Sequence, residues 1–386
     1  MTGSLGLLLN FFHQDSEVFI LIFVNTKDIL PGMCLARSVN FYDIASKKAH
    51  TIEAGYVLSD MAITQLKAAE INGIYVDTYK SKIRVISSIN QEIRAEAISG
   101  IHQLADNFMD SEKGVSKKDV EEISETTQKL INSLSSNKDI LVNIADIKMY
   151  DDYTYHHSLS VAIMAIAIGL ELGFNNFMLN ELGTAGLMHD IGKVSVPVEI
   201  ITKPGRLTPD EFEIVKMHPV YAAQHLKERN IVSDNIYKGI IQHHEKIDGS
   251  GYPYHLKGKE IHPYARILAV ADVYDALTSN RPYRVPNPPN EAIEYIMAGM
   301  GTQFDENILR AFLRKVAPFP TGSIVQLSNG EKGCVIKNHP NNPLRPIVSI
   351  LDTNKCYDLA EQPELFNIVI TGIVDNSPES NQIINM

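Results

Sequence analysis

The sequence predicts a mainly α-helical protein: a helical bundle flanked by a small N-terminal α+β module and a small C-terminal β module. Three observations carry that expectation. Between residues 88 and 317, apolar side chains recur at helical spacing in stretches closed by Gly or Pro. Before residue 87 and after residue 318, short Val/Ile-rich runs alternate with Gly and Asn turns. Within the helical part, His157, His189, His218, the pair His243-His244 and Asp272 follow one another at gaps of 25 to 32 residues. Each gap is about one helix plus a turn, so ligand-type residues can arrive on separate helices and converge in a bundle.

A chain of 386 residues exceeds one ordinary core, and 44% apolar with 21% charged residues marks it as globular. The net charge of −11 argues against polymeric nucleic acid as a partner. Cys34, Cys334 and Cys356 are odd in number and far apart, which suits a reducing cytoplasm rather than a disulfide framework. Leu5–Phe12 and Val18–Val24 are apolar but split by His13–Glu17. Neither reaches the roughly 20 residues of a membrane span, and no basic residue precedes the first as in a secretory signal. Residues 1–23 are expected to be a weakly ordered extension that reflects the choice of start site.

The elements are expected in this order. Residues 24–87 form the α+β module, with a strand at Thr51–Leu58, a helix capped by Ser59 and closed by Gly73, and a strand at Ile74–Asp77. Residues 88–148 read as a helical connector, a candidate dimer-facing segment, with apolar stripes at Ile93–Leu104 and Ile123–Leu134. Residues 149–317 form the catalytic bundle. Its helices run over Leu159–Leu172, over Asn176–Gly192, from Thr208 with a capping box and Pro209, through a bend at Pro219, from Ser233 or Asp234 into His243, and over Ala265–Thr278. Asn290–Met300 and Asp305–Val316 complete it. Residues 318–376 form a β-barrel-like module with an Asn329-Gly330 hairpin turn, and 377–386 a tail. Neither flanking module carries a chemical motif, so both read as accessory.

The chemistry concentrates in two stretches. Residues 243–253 read His-His-Glu-Lys-Ile-Asp-Gly-Ser-Gly-Tyr-Pro, and residues 188–193 read Met-His-Asp-Ile-Gly-Lys. Adjacent histidines on a helix diverge by about 100°, so His243 and His244 suit two metal ions, or one ion and a phosphate, better than one core niche. Asp272 faces Leu268 and Ala276 on an apolar stripe, where an unpaired carboxylate costs several kcal/mol. Metal ligation explains it. Two ions a few Å apart bind phosphate oxygens and generate a hydroxide near neutral pH, which is what a phosphodiester requires.

This ordered set resembles the HD-GYP phosphodiesterases, a subfamily of the HD metal-dependent phosphohydrolases, over roughly residues 145–317. The resemblance implies an HD-type bundle in which His157, His189, Asp190 and Asp272 hold one metal and His218, His243 and His244 a second, with Asp190 bridging. It implies that Lys193 acts on the phosphate or the leaving 3′ oxygen, and that Lys193, Asp275, Arg281 and Arg284 contact the substrate, cyclic di-GMP. The product is linear pGpG, with onward cleavage to GMP open. Two divalent transition-metal ions are implied, iron or manganese ahead of nickel or zinc. Tyr153 stands where some relatives carry an acidic ligand of a third metal, which weakens the case for a third ion. The loop Asp248–Pro253 shapes the site and is a candidate surface for a protein partner, and a homodimer is compatible. Two alternatives stay open: a non-catalytic dinucleotide sensor or adaptor, and hydrolysis of another cyclic dinucleotide.

Overall fold

The computed structural model describes residues 21–26, 29–36, 38–43, 48–69, 71, 73–77, 91–110, 113–135, 153–203, 205–279, 287–319, 321, 323–339, 342–351, 353 and 355–374. The chain divides into two units: residues 87–320 with 338–345, and the remaining N- and C-terminal segments.

In the N-terminal segment, β1 (Leu21–Asn25) and β2 (Cys34–Leu35) flank β5 (Gly73–Asp77) in an antiparallel sheet, and β3 (Val39–Asp43) pairs with β4 (Lys48–Ile52). Helix α1 (Asp60–Ala68) starts where Ser59 accepts from the Ala62 N–H, and it buries Ala62, Ile63 and Leu66. Strand β1 opens at Leu21, three residues before the expected start of this module, and Leu21–Asn25 pairs along its whole length with Gly73–Asp77; residues 1–20 of the expected extension lie outside the described residues. One expectation is corrected: Gly73 opens a strand, and α1 ends at Ala68 with Ala69 as its C-cap. In the C-terminal segment, β6 (Ile324–Leu327), β7 (Lys332–Lys337), β8 (Ile347–Ile350), β9 (Cys356–Asp358) and β10 (Ile370–Ile373) form an antiparallel sheet in the order β10-β6-β7-β8-β9. The β6–β7 hairpin contains the anticipated Asn329-Gly330.

The helical unit contains α2 (Gln91–Met109), α3 (Lys117–Ser135), α4 (Tyr153–Glu171), α5 (Asn176–Met188), a 3₁₀ turn (Ile191–Ser195), α6 (Val198–Ile201), α7 (Pro209–Val215), α8 (His218–Glu228), α9 (Asp234–Gln242), α10 (Pro263–Thr278), α11 (Pro289–Ala298) and α12 (Glu306–Lys315). Every residue from His157 to Gly169 is buried. That follows from a segment apolar on all sides, which only the centre of a bundle can accommodate. Around α4 pack α2, α3, α5, α10 and α12. One continuous apolar cluster runs from Ala97 on α2 through Leu130 on α3 and Ile163 on α4 to Phe312 on α12. Within the stretch expected to be a connector, α2 and α3 pack on the bundle and bury their apolar stripes against α4 and α5, while residues 136–148 lie outside the described residues. No described helix is long and apolar enough to cross a membrane.

Two helix boundaries differ from expectation at the places where ligand-type residues emerge. The helix expected to reach Gly192 stops at Met188 and tightens into the 3₁₀ turn. The helix expected to bend at Pro219 is broken: α7 ends at Val215 and α8 starts at His218. Pro219 lacks the N–H that a continuous helix would need, but at the start of a new helix that donor is not required.

Candidate metal centre

Three histidines sit where helices end or break. The last four carbonyls of a helix have no partner within it. His189, which caps α5, turns Nδ1 to Gly186 O at 2.7 Å. His218, at the α7–α8 break, turns Nδ1 to Val215 O at 2.7 Å. His243, which caps α9, turns Nδ1 to Ile240 O at 2.6 Å. Only an N–H can face a carbonyl oxygen, so each Nδ1 is the donor and each Nε2 keeps its lone pair. The i−3 spacing is the same in all three, and it converts loose helix ends into oriented imidazoles.

Gly192 brings the 3₁₀ turn into the cluster. A Cβ there would lie 2.0 Å from His218 O, so only glycine permits the approach that sets Asp190 beside His218. Asp190 Oδ1 is 3.2 Å from His218 Nε2, while Oδ2 is 3.4 Å from His157 Nε2 and 3.5 Å from His189 Nε2. One carboxylate thus faces two groups of histidines with separate oxygens. Lys193 Nζ pairs with Oδ2 at 2.5 Å. From α10, Asp272 Oδ1 lies 3.1 Å from His157 Nε2, and Asp275 Oδ2 lies 2.7 Å from His157 Nδ1. His157 on α4 is therefore held between two carboxylates three residues apart on one helix.

Potential donor atoms of His218, His243 and His244 lie within 4.8 Å of one another, as do those of His157, His189 and Asp272, and those of His189, Asp190 and His243. His157, His189, Asp190, His218 and His243 are at most 3% exposed, Asp272 8%. Burial and the neighbouring imidazoles hold His243 well below the ordinary histidine range. Burial also lowers His189, and it takes His244 down to about 3, outweighing the Asp272 carboxylate. Burial likewise opposes charge on Asp190 and Asp272, but Lys193 and His189 beside the first, and His157 and His244 beside the second, keep both far below the carboxylate range. His157 differs: burial disfavours its charge, yet Asp272 and Asp275 outweigh that and raise it to about 9. The neutral imidazoles of His189, His243 and His244 beside the ionised Asp190 and Asp272 are donors of the kind a divalent cation requires.

The residues fit such ions on a further ground. His218 Nε2 and His243 Nε2 face each other at 3.4 Å although both Nδ1 atoms are already donors. The buried Nε2 atoms of His189 and His244 have no hydrogen-bond partner among the described residues. Lone pairs aimed at one another in a buried space call for cations between them.

All seven expected metal ligands and Lys193 meet in this cluster. Asp275, expected at the substrate, is 2% exposed, with Oδ2 2.7 Å from His157 Nδ1. Arg281 and Arg284 lie outside the described residues, as does the side chain of Tyr153. His156 is half-buried outside the cluster. Sequence reasoning missed the supporting carbonyls of Gly186, Val215 and Ile240. Only His218 carried a local signal for such a contact, the Pro219 that follows it.

The HD domain family model matches residues 115–308, half of the chain, and a model described as a KOW domain associated with HD domain matches residues 324–369. A cyclic di-GMP phosphodiesterase of Pseudomonas aeruginosa is 38% identical over 232 residues, covering 60% of this chain and 56% of its own length. A cyclic di-GMP phosphodiesterase of Thermotoga maritima is 37% identical over 183 residues, 46% of this chain and 50% of that one. The chain thus spans about half the length of these curated relatives. The solved structure of an HDG"Y"P protein from Bdellovibrio bacteriovorus superposes with a TM-score of 0.51 at 16% identity, over 76% of this chain and 98% of the other, a likeness of fold. Since the family model begins at Val115, just before α3, and runs into α12, it takes in every histidine of the cluster and the helices that carry them, and the chain belongs to the HD domain family.

Proposed function

We propose that the protein is a metal-dependent phosphodiesterase that hydrolyses cyclic di-GMP to linear pGpG. The observation that carries the reading is Asp190, whose two oxygens face separate histidine groups. In this reading His157, His189, Asp190 and Asp272 hold one divalent ion, His218, His243 and His244 hold the other, and Asp190 spans both. Bound there, two ions would polarise the phosphate and lower the pKa of an attacking water. A donor set rich in nitrogen with two carboxylates favours a transition metal, iron or manganese first.

The chain's own residues do the rest. Asp275 and the three backbone carbonyls hold the imidazole rings in place. Lys193, 26% exposed on its 3₁₀ turn, reaches the cluster from the solvent side, as a group stabilising phosphate charge or protonating the leaving 3′ oxygen must. Arg281 and Arg284, by their sequence positions, bind the dinucleotide through bidentate contacts. Tyr153, in place of an acidic ligand, leaves the second hydrolysis to GMP slow. The reading includes a cytoplasmic protein, which the free thiols of Cys34, Cys334 and Cys356 suit, and a protein partner at the Asp248–Pro253 loop.

The test is turnover of cyclic di-GMP by purified, metal-replete protein, with products resolved by chromatography. Accumulating pGpG is expected, and Arg281→Ala should weaken substrate binding about tenfold to a hundredfold with metal content unchanged. Binding without any hydrolysis would instead select the sensor reading.

A further inference from the structure

Of the five clustered histidines, four have Nδ1 fixed by an acceptor: a carboxylate for His157 and a backbone carbonyl for His189, His218 and His243. His244 has no such bond. Its Nδ1 lies 3.7 Å from Asp272 Oδ2, beyond hydrogen-bonding distance, and its buried Nε2 has no partner among the described residues. Its side chain is also 23% exposed, against 2% or less for His157, His189 and His218. What surrounds it is rings: those of His243 and His218, with centroids 4.0 Å and 5.1 Å away, and from the loop that of Tyr252. Tyr252 stacks on it with centroids 4.7 Å apart and planes 28° from parallel.

Tyr252 is in turn fixed by its loop. Its N–H donates to His244 O at 3.2 Å. Glu245, 2% exposed, accepts from Tyr254 N at 2.6 Å and Leu256 N at 3.1 Å, so the buried carboxylate gathers the chain beyond Tyr252. Gly251 passes so close to this backbone that a Cβ would lie 2.4 Å from Lys246 N. Lys216 Nζ lies 5.8 Å from the Tyr252 ring centre and 4.9 Å from that of Phe212. Burial, reinforced by Asp272 and Asp190, keeps the phenol far above its ordinary range, so the ring stays neutral beside the cluster.

We propose that Tyr252 is a positioning residue for His244: its ring face sets the imidazole orientation that a hydrogen bond sets for the other four histidines. The inference rests on the reading of the cluster as a metal centre. It assigns the hydroxyl no part, so Tyr252→Phe should preserve the function and removal of the ring should abolish it. The effect should fall on one ion, because His244 groups with His218 and His243 while His157, His189 and Asp272 form a separate group.

The experiment is Co(II) titration of the full-length protein, followed by calorimetry and visible absorbance. In the unchanged protein two ions should bind. Tyr252→Leu should weaken one of them about tenfold to a hundredfold and alter its absorbance, leaving the other intact. Tyr252→Phe should restore both affinity and spectrum. In a His244→Ala background, Tyr252→Leu should add no further loss, as expected of residues acting through one contact. Thermal melting checks folding, and Tyr252→Met, which fills similar volume without a ring, replaces the leucine variant if that unfolds. Two tightly bound ions with unchanged spectra in Tyr252→Leu or Tyr252→Met would overturn the inference alone, as would Tyr252→Phe failing as badly as they do. An unchanged protein that takes up no Co(II) would overturn the metal reading, and this inference with it.

Discussion

Helices α5, α9 and α10 each contribute to two buried polar clusters, and the two are built on opposite principles. At one, Glu181, 5% exposed, accepts from Ser233 Oγ at 2.5 Å, Asn235 Nδ2 at 2.9 Å and the Tyr264 hydroxyl at 3.0 Å. Three donors close on one carboxylate, and the group is complete. At the other, three imidazoles, those of His189, His218 and His243, spend their N–H groups outward on Gly186, Val215 and Ile240 and turn bare nitrogens inward. That group cannot close on itself. Both are buried, and both sit on the same helices. The difference teaches that burial of polar residues does not mark a site, whereas a surplus of acceptors does.

The strongest test of the contrast is Asp190→Asn. It removes the charge shared by both histidine groups, so bound metal measured by elemental analysis should fall from two ions per chain to almost none, and turnover should fall more than a hundredfold. Retention of both ions would reject the shared carboxylate. A smaller effect of a different kind is expected from Glu181→Gln. An amide would turn a donor towards the hydroxyls and the Asn235 amide, costing about 1–3 kcal/mol in denaturant unfolding with metal content unchanged. Loss of metal in that variant would mean that the two clusters are not independent. The smallest effect belongs to Asp275→Asn, which can keep an oxygen towards His157 Nδ1 but loses the charge. One ion should bind about tenfold more weakly, without measurable loss of the other. Equal weakening of both ions would show that Asp275 supports more than His157.

Much of this could be read from the order of residues. Thr208, Pro209 and Glu211 form the anticipated capping box, and Ser233 caps α9 as expected, because a cap is chosen by its own few neighbours. Asp272 was legible as a carboxylate that an apolar stripe could not hold unpaired. The second role at that face was not. Asp272 and Asp275 are three residues apart on α10, and either could have met the substrate. The packing of α4 against α10 decided that both flank His157.

The same division holds for the whole chain. The sequence by itself determined which residues can ligate, where helices start, and that the central helix is apolar on every side. These are properties of side chains and of their nearest neighbours along the chain. The tertiary structure alone decided that the apolar stripes of α2 and α3 bury against α4 and α5, because an amphipathic stripe specifies burial but not the surface that buries it. It also decided which nitrogen each histidine presents. A tautomer follows from the acceptor that meets the ring, and for His189, His218 and His243 that acceptor is a backbone carbonyl placed by the end of a helix.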